Sequence, residues 1–231
     1  MPQNGSRLSF RVRSHERGPS ERLVSRMRIV AIGGADKSRL LERWAGNGHA
    51  TSAMSLDALA RRSEPIGADV VLLDLQGSEP NVDPALAKHF AGTTVIDCSN
   101  VRDVTELRSG SGSVAERLAK AYPNAKVVKA LNHLTAAAIE HVMSHSGARG
   151  SEGYISGYYC GDDDEARRTT AALIDELHLH PSDCGPLANA TLIEAIGLLT
   201  ARIATHAPFG PYFAISVIRE HGETSPLDSW M

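Results

Sequence analysis

The stretch "MRIVAIGGADKSRLLERWAGNGH", Met27 to His49, decides the fold. "RIVAI" (28–32) is a short apolar run of the kind that forms a buried strand. "SRLLERWAG" (38–46) spaces Leu40, Leu41, Trp44 and Ala45 on one helical face. Between them lie Gly33 and Gly34. Strand, glycine turn and helix in that order open a nucleotide-binding fold. The usual fingerprint is G-x-G-x-x-G, whose glycines admit a pyrophosphate and let the helix pack on the strand. Here Ala35 and Ser38 stand where the later glycines are expected, and Asp36 adds a negative charge that Lys37 and Arg39 offset. The turn therefore reads in two ways: a dinucleotide site with less room for phosphate, or a tight strand-to-helix turn that binds nothing.

Working outward, short apolar runs alternate with helical patterns. "HATSAM" (49–54) is a weak strand, and "SLDALARR" (55–62) a short helix with Ser55 as N-cap. "ADVVLLDL" (68–75) is apolar on both faces, as a parallel-sheet strand is. "PALAKHFAG" (84–92) reads as helix, "TTVIDCS" (93–99) as strand, "SVAERLAKAYP" (113–123) as an amphipathic helix and "AKVVKAL" (125–131) as strand. Beyond a polar loop come the strand "YISGYYCG" (154–161), the helix "DDEARRTTAALIDELH" (163–178), an extended piece at "HPSDC" (180–184) and the helix "NATLIEAIGLLTARIATHA" (189–207). This order predicts an α/β Rossmann-like, doubly wound parallel sheet with a small C-terminal α/β extension. The turn at 33–38 then falls at the carboxyl edge of the sheet, where ligands bind.

Composition narrows the function classes. Of the 231 residues 42% are apolar, enough for a real core, and the net charge of −3 implies no general attraction to nucleic acid. No apolar run reads as long enough to span a bilayer, and the three scattered cysteines make a reduced cytoplasm the simplest compartment for a protein expected to act on a small molecule. Cys98, Cys160 and Cys184 are scattered and form no C-x-x-C pair, so neither a metal site nor a disulfide framework is assigned. Residues 1–26 hold six Arg against two Glu and few large apolar residues. They read as a disordered extension ahead of a start at Met27; a functional arm and a transit peptide are the alternatives. Residues 27–145 form the expected dinucleotide-binding domain and 146–231 a C-terminal substrate and dimerisation part.

Several motifs in one order then carry a resemblance. "VIDCSN", "GSVAERLAKAYPNAKVVKALNHL", "CGDDDEARRTTAALIDELHLHPSDCGPLANATLIEAI" and "FGPYFAISVIR" are similar to segments of the deazaflavin-dependent NADP oxidoreductases, the NADPH: coenzyme F-420 reductase-like family. The match runs from Met27 to about Arg219. It implies a Rossmann domain that holds NADP, a smaller C-terminal part that helps form the deazaflavin pocket and a homodimer contact, and hydride transfer between stacked rings. On this resemblance Gly33, Gly34, Lys37 and Ser38 would hold the pyrophosphate. Ser55 stands at the end of the second strand, where the 2′-phosphate is read, although the arginine common there is missing until Arg61 and Arg62. Ser99, Asn100 and Asn132 would lie beside the nicotinamide, and Phe209 and Gly210 would line the substrate side.

Polar residues at the strand ends suggest chemistry of their own. Asp74 and Glu79, in "LDLQGSEP", are carboxylates at the edge of an apolar strand, read either as caps or as substrate-facing acids. His133, in "ALNHL", is the candidate acid–base group, with a hydrogen-bonded structural histidine as the alternative. "HVMSH" sets His141 and His145 one helical turn apart, a spacing equally suited to a helix C-terminus. The aspartates of "GDDDEARR" read as caps of the following helix. Two functional readings result. One is an oxidoreductase using NADPH with a deazaflavin or small organic partner. The other is a non-redox enzyme, of cyclase or isomerase type, that works in the former cofactor cleft with Asp74, Glu79 and His133. A non-catalytic binding module is a third.

Overall fold

A computed structural model of the protein describes residues 25–34, 38–75, 82–135, 137–140, 155–208, 210–211 and 213–217. Seven strands form one sheet: β1 (Arg28–Gly33), β2 (Ala50–Met54), β3 (Val70–Asp74), β4 (Thr94–Asp97), β5 (Lys126–Ala130), β6 (Ser156–Gly161) and β7 (His180–Asp183). Their spatial order is β2-β1-β3-β4-β5-β6-β7. β1 to β5 are parallel, as the apolar runs predict. β6 departs from that expectation, pairing antiparallel with β5, while β7 is parallel to β6. The strands beyond residue 146 thus extend the same sheet.

Successive side chains on a strand point to opposite faces, and the packing follows. Ile29, Ala31, Val70, Leu72, Ile96 and Val128 pack on one face with Leu40 and Trp44 of α1 (Ser38–Gly46) and with residues of the second-half helix α6 (Asp164–Glu176). Val30, Ile32, Val71, Leu73, Val95 and Val127 pack on the other, under α2 (Leu56–Ala60), α3 (Ala87–Phe90), α5 (Val114–Ala121) and α7 (Ala190–His206). The doubly wound Rossmann-like α/β architecture is therefore present. The helix expected over 84–92 is a 3₁₀ turn, Pro84–Leu86, followed by the short α3. A further helix, α4 (Val104–Arg108), lies in a stretch that carries no apolar periodicity, and Asp103 caps it.

The caps follow the sequence chemistry. Ser113 and Glu116 close a capping box at the start of α5. Asp163 caps α6, its side chain accepting from Ala166 N at 2.8 Å, and Asp162 accepts from Leu187 N at 2.8 Å. At the far end of α1, Trp44 Nε1 donates to Leu173 O at 3.1 Å and Arg43 Nε to Glu176 O at 3.2 Å, tying α1 to α6.

One expectation needs correction. Leu187–His206 is long and apolar enough, by length and composition, to cross a membrane. One face of it, with Ile193, Glu194, Gly197, Leu198 and Thr200, is buried against the sheet, while Leu192 and Leu199 are exposed.

Candidate functional site

The chain runs from β1 to β2 on one side and then crosses to β3 on the other. This reversal places a topological switch point between the carboxyl ends of β1 and β3, the position where open α/β sheets bind ligands. Gly33 sits there with φ +94°, a left-handed conformation that side chains resist. A Cβ on Gly33 would stand 1.9 Å from the carbonyl oxygen of Asp74, so the two strand ends meet through a bare backbone. Gly34 N donates to that same carbonyl at 3.4 Å. Ser38 is exposed at the start of α1, and Lys37 lies outside the described residues. Ser55 Oγ accepts from Ala58 N at 3.1 Å, which makes it the cap of α2 and leaves its hydroxyl hydrogen available to a ligand.

At the carboxyl ends of β4 and β5 the side chains are heavily engaged. Lys129 Nζ lies 2.8 Å from Asp97 Oδ2 and 2.9 Å from Glu194 Oε1, and all three residues are fully buried. The Lys129 ammonium also donates to the carbonyl of Ser99. Glu194 Oε1 further accepts from Val114 N at 2.8 Å, at the start of α5. Burial works against the Lys129 charge, but the Asp97 and Glu194 carboxylates outweigh it and hold the pKa above the ordinary lysine value. Burial also raises the Glu194 pKa, with Lys129 opposing.

Ser99 is fully buried and belongs to this frame. Its Oγ accepts from Leu75 N at 2.9 Å and its N–H donates to Asp97 Oδ1 at 2.9 Å. Asn100 is the outward residue of the pair it makes with buried Asn132. Asn132 Nδ2 donates to Asn100 Oδ1 at 2.8 Å, and Asn100 Nδ2 donates back to Asn132 O at 2.7 Å. Before Asn132 the backbone is left-handed at Leu131, φ +60°, uncommon for a branched residue and typical of constrained sites.

His133 is placed in the core, not on the cleft surface. It is 4% exposed, its ring is tilted against Tyr158 with centroids 4.8 Å apart, and Nε2 lies 2.8 Å from Ser156 O. A carbonyl only accepts, so Nε2 carries the proton. Burial lowers the pKa to about 4, which keeps the ring neutral. The alternative reading, a hydrogen-bonded structural histidine, describes this geometry. Asp74 is buried at the end of β3. Glu79, Phe209, His141 and His145 lie outside the described residues, as does most of 1–26. Gly210 has φ +61° and donates to Ala207 O at 3.0 Å in the bend after α7.

Sequence reading missed Lys129, Asp97, Glu194 and Gly197. The signal was present: three charged residues interrupt apolar runs in "VVKAL", "TVIDC" and "LIEAI", and such residues are rarely buried unless paired.

Comparison with known proteins bears on the fold. No family model matches. A solved structure of a candidate F-420-dependent NADP reductase from Arthrobacter sp. FB24 superposes with a TM-score of 0.66 at 21% identity, covering 84% of this chain and all of that one. The two share a Rossmann-like α/β fold. A reductive aminase from Aspergillus terreus, solved in complex with NADPH, shares that Rossmann-like fold with a TM-score of 0.50 at 14% identity, covering 80% of this chain and 64% of the aminase. Metalloreductase STEAP3 from Rattus norvegicus is 34% identical over 114 residues, or 49% of this chain. This chain spans 22% of the length of that curated relative.

Proposed function

We propose that the protein is an NADPH-dependent oxidoreductase that passes a hydride between NADPH and a deazaflavin or another small organic partner. The observation that carries this reading is the switch point itself. β1 ends on Gly33, packed bare against the Asp74 carbonyl, in a fold shared with a candidate F-420-dependent NADP reductase. Two groups near the switch point offer hydrogen bonds to a dinucleotide: the Ser55 hydroxyl at the end of β2, and Asn100 on the outward side of the β4–β5 ends. Bound NADPH would supply the hydride. The chain's own contribution is to orient the two rings and exclude water.

The reading as a cyclase or isomerase is not favoured. It relied on His133 as acid–base group, and His133 is buried, neutral and hydrogen-bonded to Ser156 O. Leu192 and Leu199, 65% and 53% exposed and seven residues apart on α7, support a homodimer contact through that helix. Light scattering of the purified protein should then give twice the chain mass, and a monomer at micromolar concentration would remove that part.

The test of the main reading is a titration with NADPH and, in parallel, NADH, followed by nucleotide fluorescence. Saturable binding of NADPH is expected. Absence of binding at millimolar nucleotide would overturn the assignment.

A further inference from the structure

We propose that α7 is a positioning element for the nucleotide site, acting through Gly197 on the Asn100–Asn132 pair. The inference rests on the reading that Asn100 faces the nucleotide. It adds a residue from the second half of the chain that touches no nucleotide itself.

Three contacts carry it. First, the carbonyl of Ile193 accepts from Asn132 Nδ2 at 3.1 Å, so the inner asparagine is held by the α7 backbone. Second, Gly197, one helical turn on, lies directly against the pair. A Cβ there would stand 2.1 Å from Asn100 Oδ1 and 2.5 Å from Asn132 Nδ2. A mid-helix glycine disfavours the helix, and here the close approach explains it. Third, Glu194 fixes the height of α7 over the sheet. Its Oε1 meets Lys129 Nζ at 2.9 Å, and Lys129 in turn holds the Ser99 carbonyl just before Asn100. Residues 193, 194 and 197 therefore anchor one turn of α7 to the ends of β4 and β5.

The consequence concerns the orientation of Asn100. One hydrogen of its amide is used on Asn132 O, and its oxygen is held by Asn132 Nδ2, which leaves the second N–H pointing away from the pair. A free asparagine side chain samples several rotamers. This one is fixed by a partner that α7 fixes in turn. Asn100 sits two strand spacings from Gly33, roughly 10 Å along the sheet edge, within reach of the far end of a dinucleotide anchored at the glycine turn.

The experiment uses the full chain and two readouts. Side-chain amide resonances of Asn100 and Asn132 are followed by NMR in the wild type and in Gly197→Ala, and NADPH affinity is measured in Gly197→Ala, Asn100→Ala and the double variant. Gly197→Ala should shift both amides and speed their exchange about tenfold, as expected for the loss of one well-placed hydrogen bond. The NADPH Kd should rise about tenfold in each single variant, and the double variant should bind no worse than Asn100→Ala alone. Unchanged amides in Gly197→Ala, or additive losses in the double variant, would overturn the proposal. If the wild type binds no NADPH, the functional reading falls, while the amide readout still decides the positioning. Should Gly197→Ala not fold, Asn132→Ala removes the same link without adding an atom, and must release the Asn100 amide to the same degree.

Discussion

The two ends of the candidate cleft are built differently. At the β1–β3 end the contact is backbone on backbone: Gly33 against the Asp74 carbonyl, with no side chain between them. At the β4–β5 end the contact is side chain on side chain: one buried cation, two buried carboxylates and a reciprocal asparagine pair. The first end has no room for an added atom at Gly33. The second depends on charge balance and is indifferent to helix propensity. A degenerate glycine motif thus coexists with a dense polar frame, since each end keeps its geometry by a separate mechanism.

The largest effect expected is on the polar frame. Lys129→Met leaves Asp97 and Glu194 facing each other in the core without a cation, and should cost about 3–5 kcal/mol of folding free energy in a urea melt. Adding Asp97→Asn and Glu194→Gln to that variant should restore most of it. If the single variant stays within about 1 kcal/mol of the wild type, the comparison breaks, because surface substitutions cost no more than that.

Gly33→Ala tests the other end. The added methyl meets a backbone carbonyl and the left-handed φ at once, for a combined loss of about 4 kcal/mol. Thermal melting measures it, and a neutral outcome would mean that the strand ends slide apart freely.

A pH series separates His133 from both ends. Its pKa falls from the ordinary 6.5 to about 4 on folding, so the unfolded chain binds the proton and the folded chain does not. The stabilisation is complete above pH 6.5 and is lost as pH falls toward 4, by roughly 3 kcal/mol. The variant His133→Gln, which keeps a donor for Ser156 O, should lose less than the wild type over that window in a pH-dependent melt. Equal losses would show that the histidine is not the titrating group.

The smallest effect is expected at Ser55. Ser55→Ala removes the α2 cap and should cost ~1 kcal/mol. If Ser55 also reads the 2′-phosphate, the ratio of NADPH to NADH affinity falls in the same variant.

The fold was largely legible because a strand such as Val70–Asp74 is apolar on both faces over its first four residues, and that pattern is local. The antiparallel turn into β6 was not, because no local signal tells which neighbour a strand will choose. For the site, the edge positions of Ser99, Asn100 and Asn132 were read correctly as strand ends. The ion cluster was missed because Asp97, Lys129 and Glu194 come from three separate elements, and long-range pairing leaves no periodicity. For His133 both an acid–base and a hydrogen-bonded structural reading stood open at that strand end, and the sequence could not choose because Tyr158 and Ser156, which cover it, come from the distant β6.

The attachment of α1 to α6 has a mechanical meaning. Trp44 and Arg43 fasten the last turn of α1 to the end of α6, whereas its first residue, Ser38, is exposed beside the glycine turn. The helix is a strut anchored at Trp44. From Ser38 to Trp44 it measures roughly 9 Å, at 1.5 Å per residue. Leu40 and Leu41 are buried along that length and Arg39 reaches Glu140 at 3.0 Å, so α1 is held from end to end and carries Ser38 to a fixed place near the end of β1.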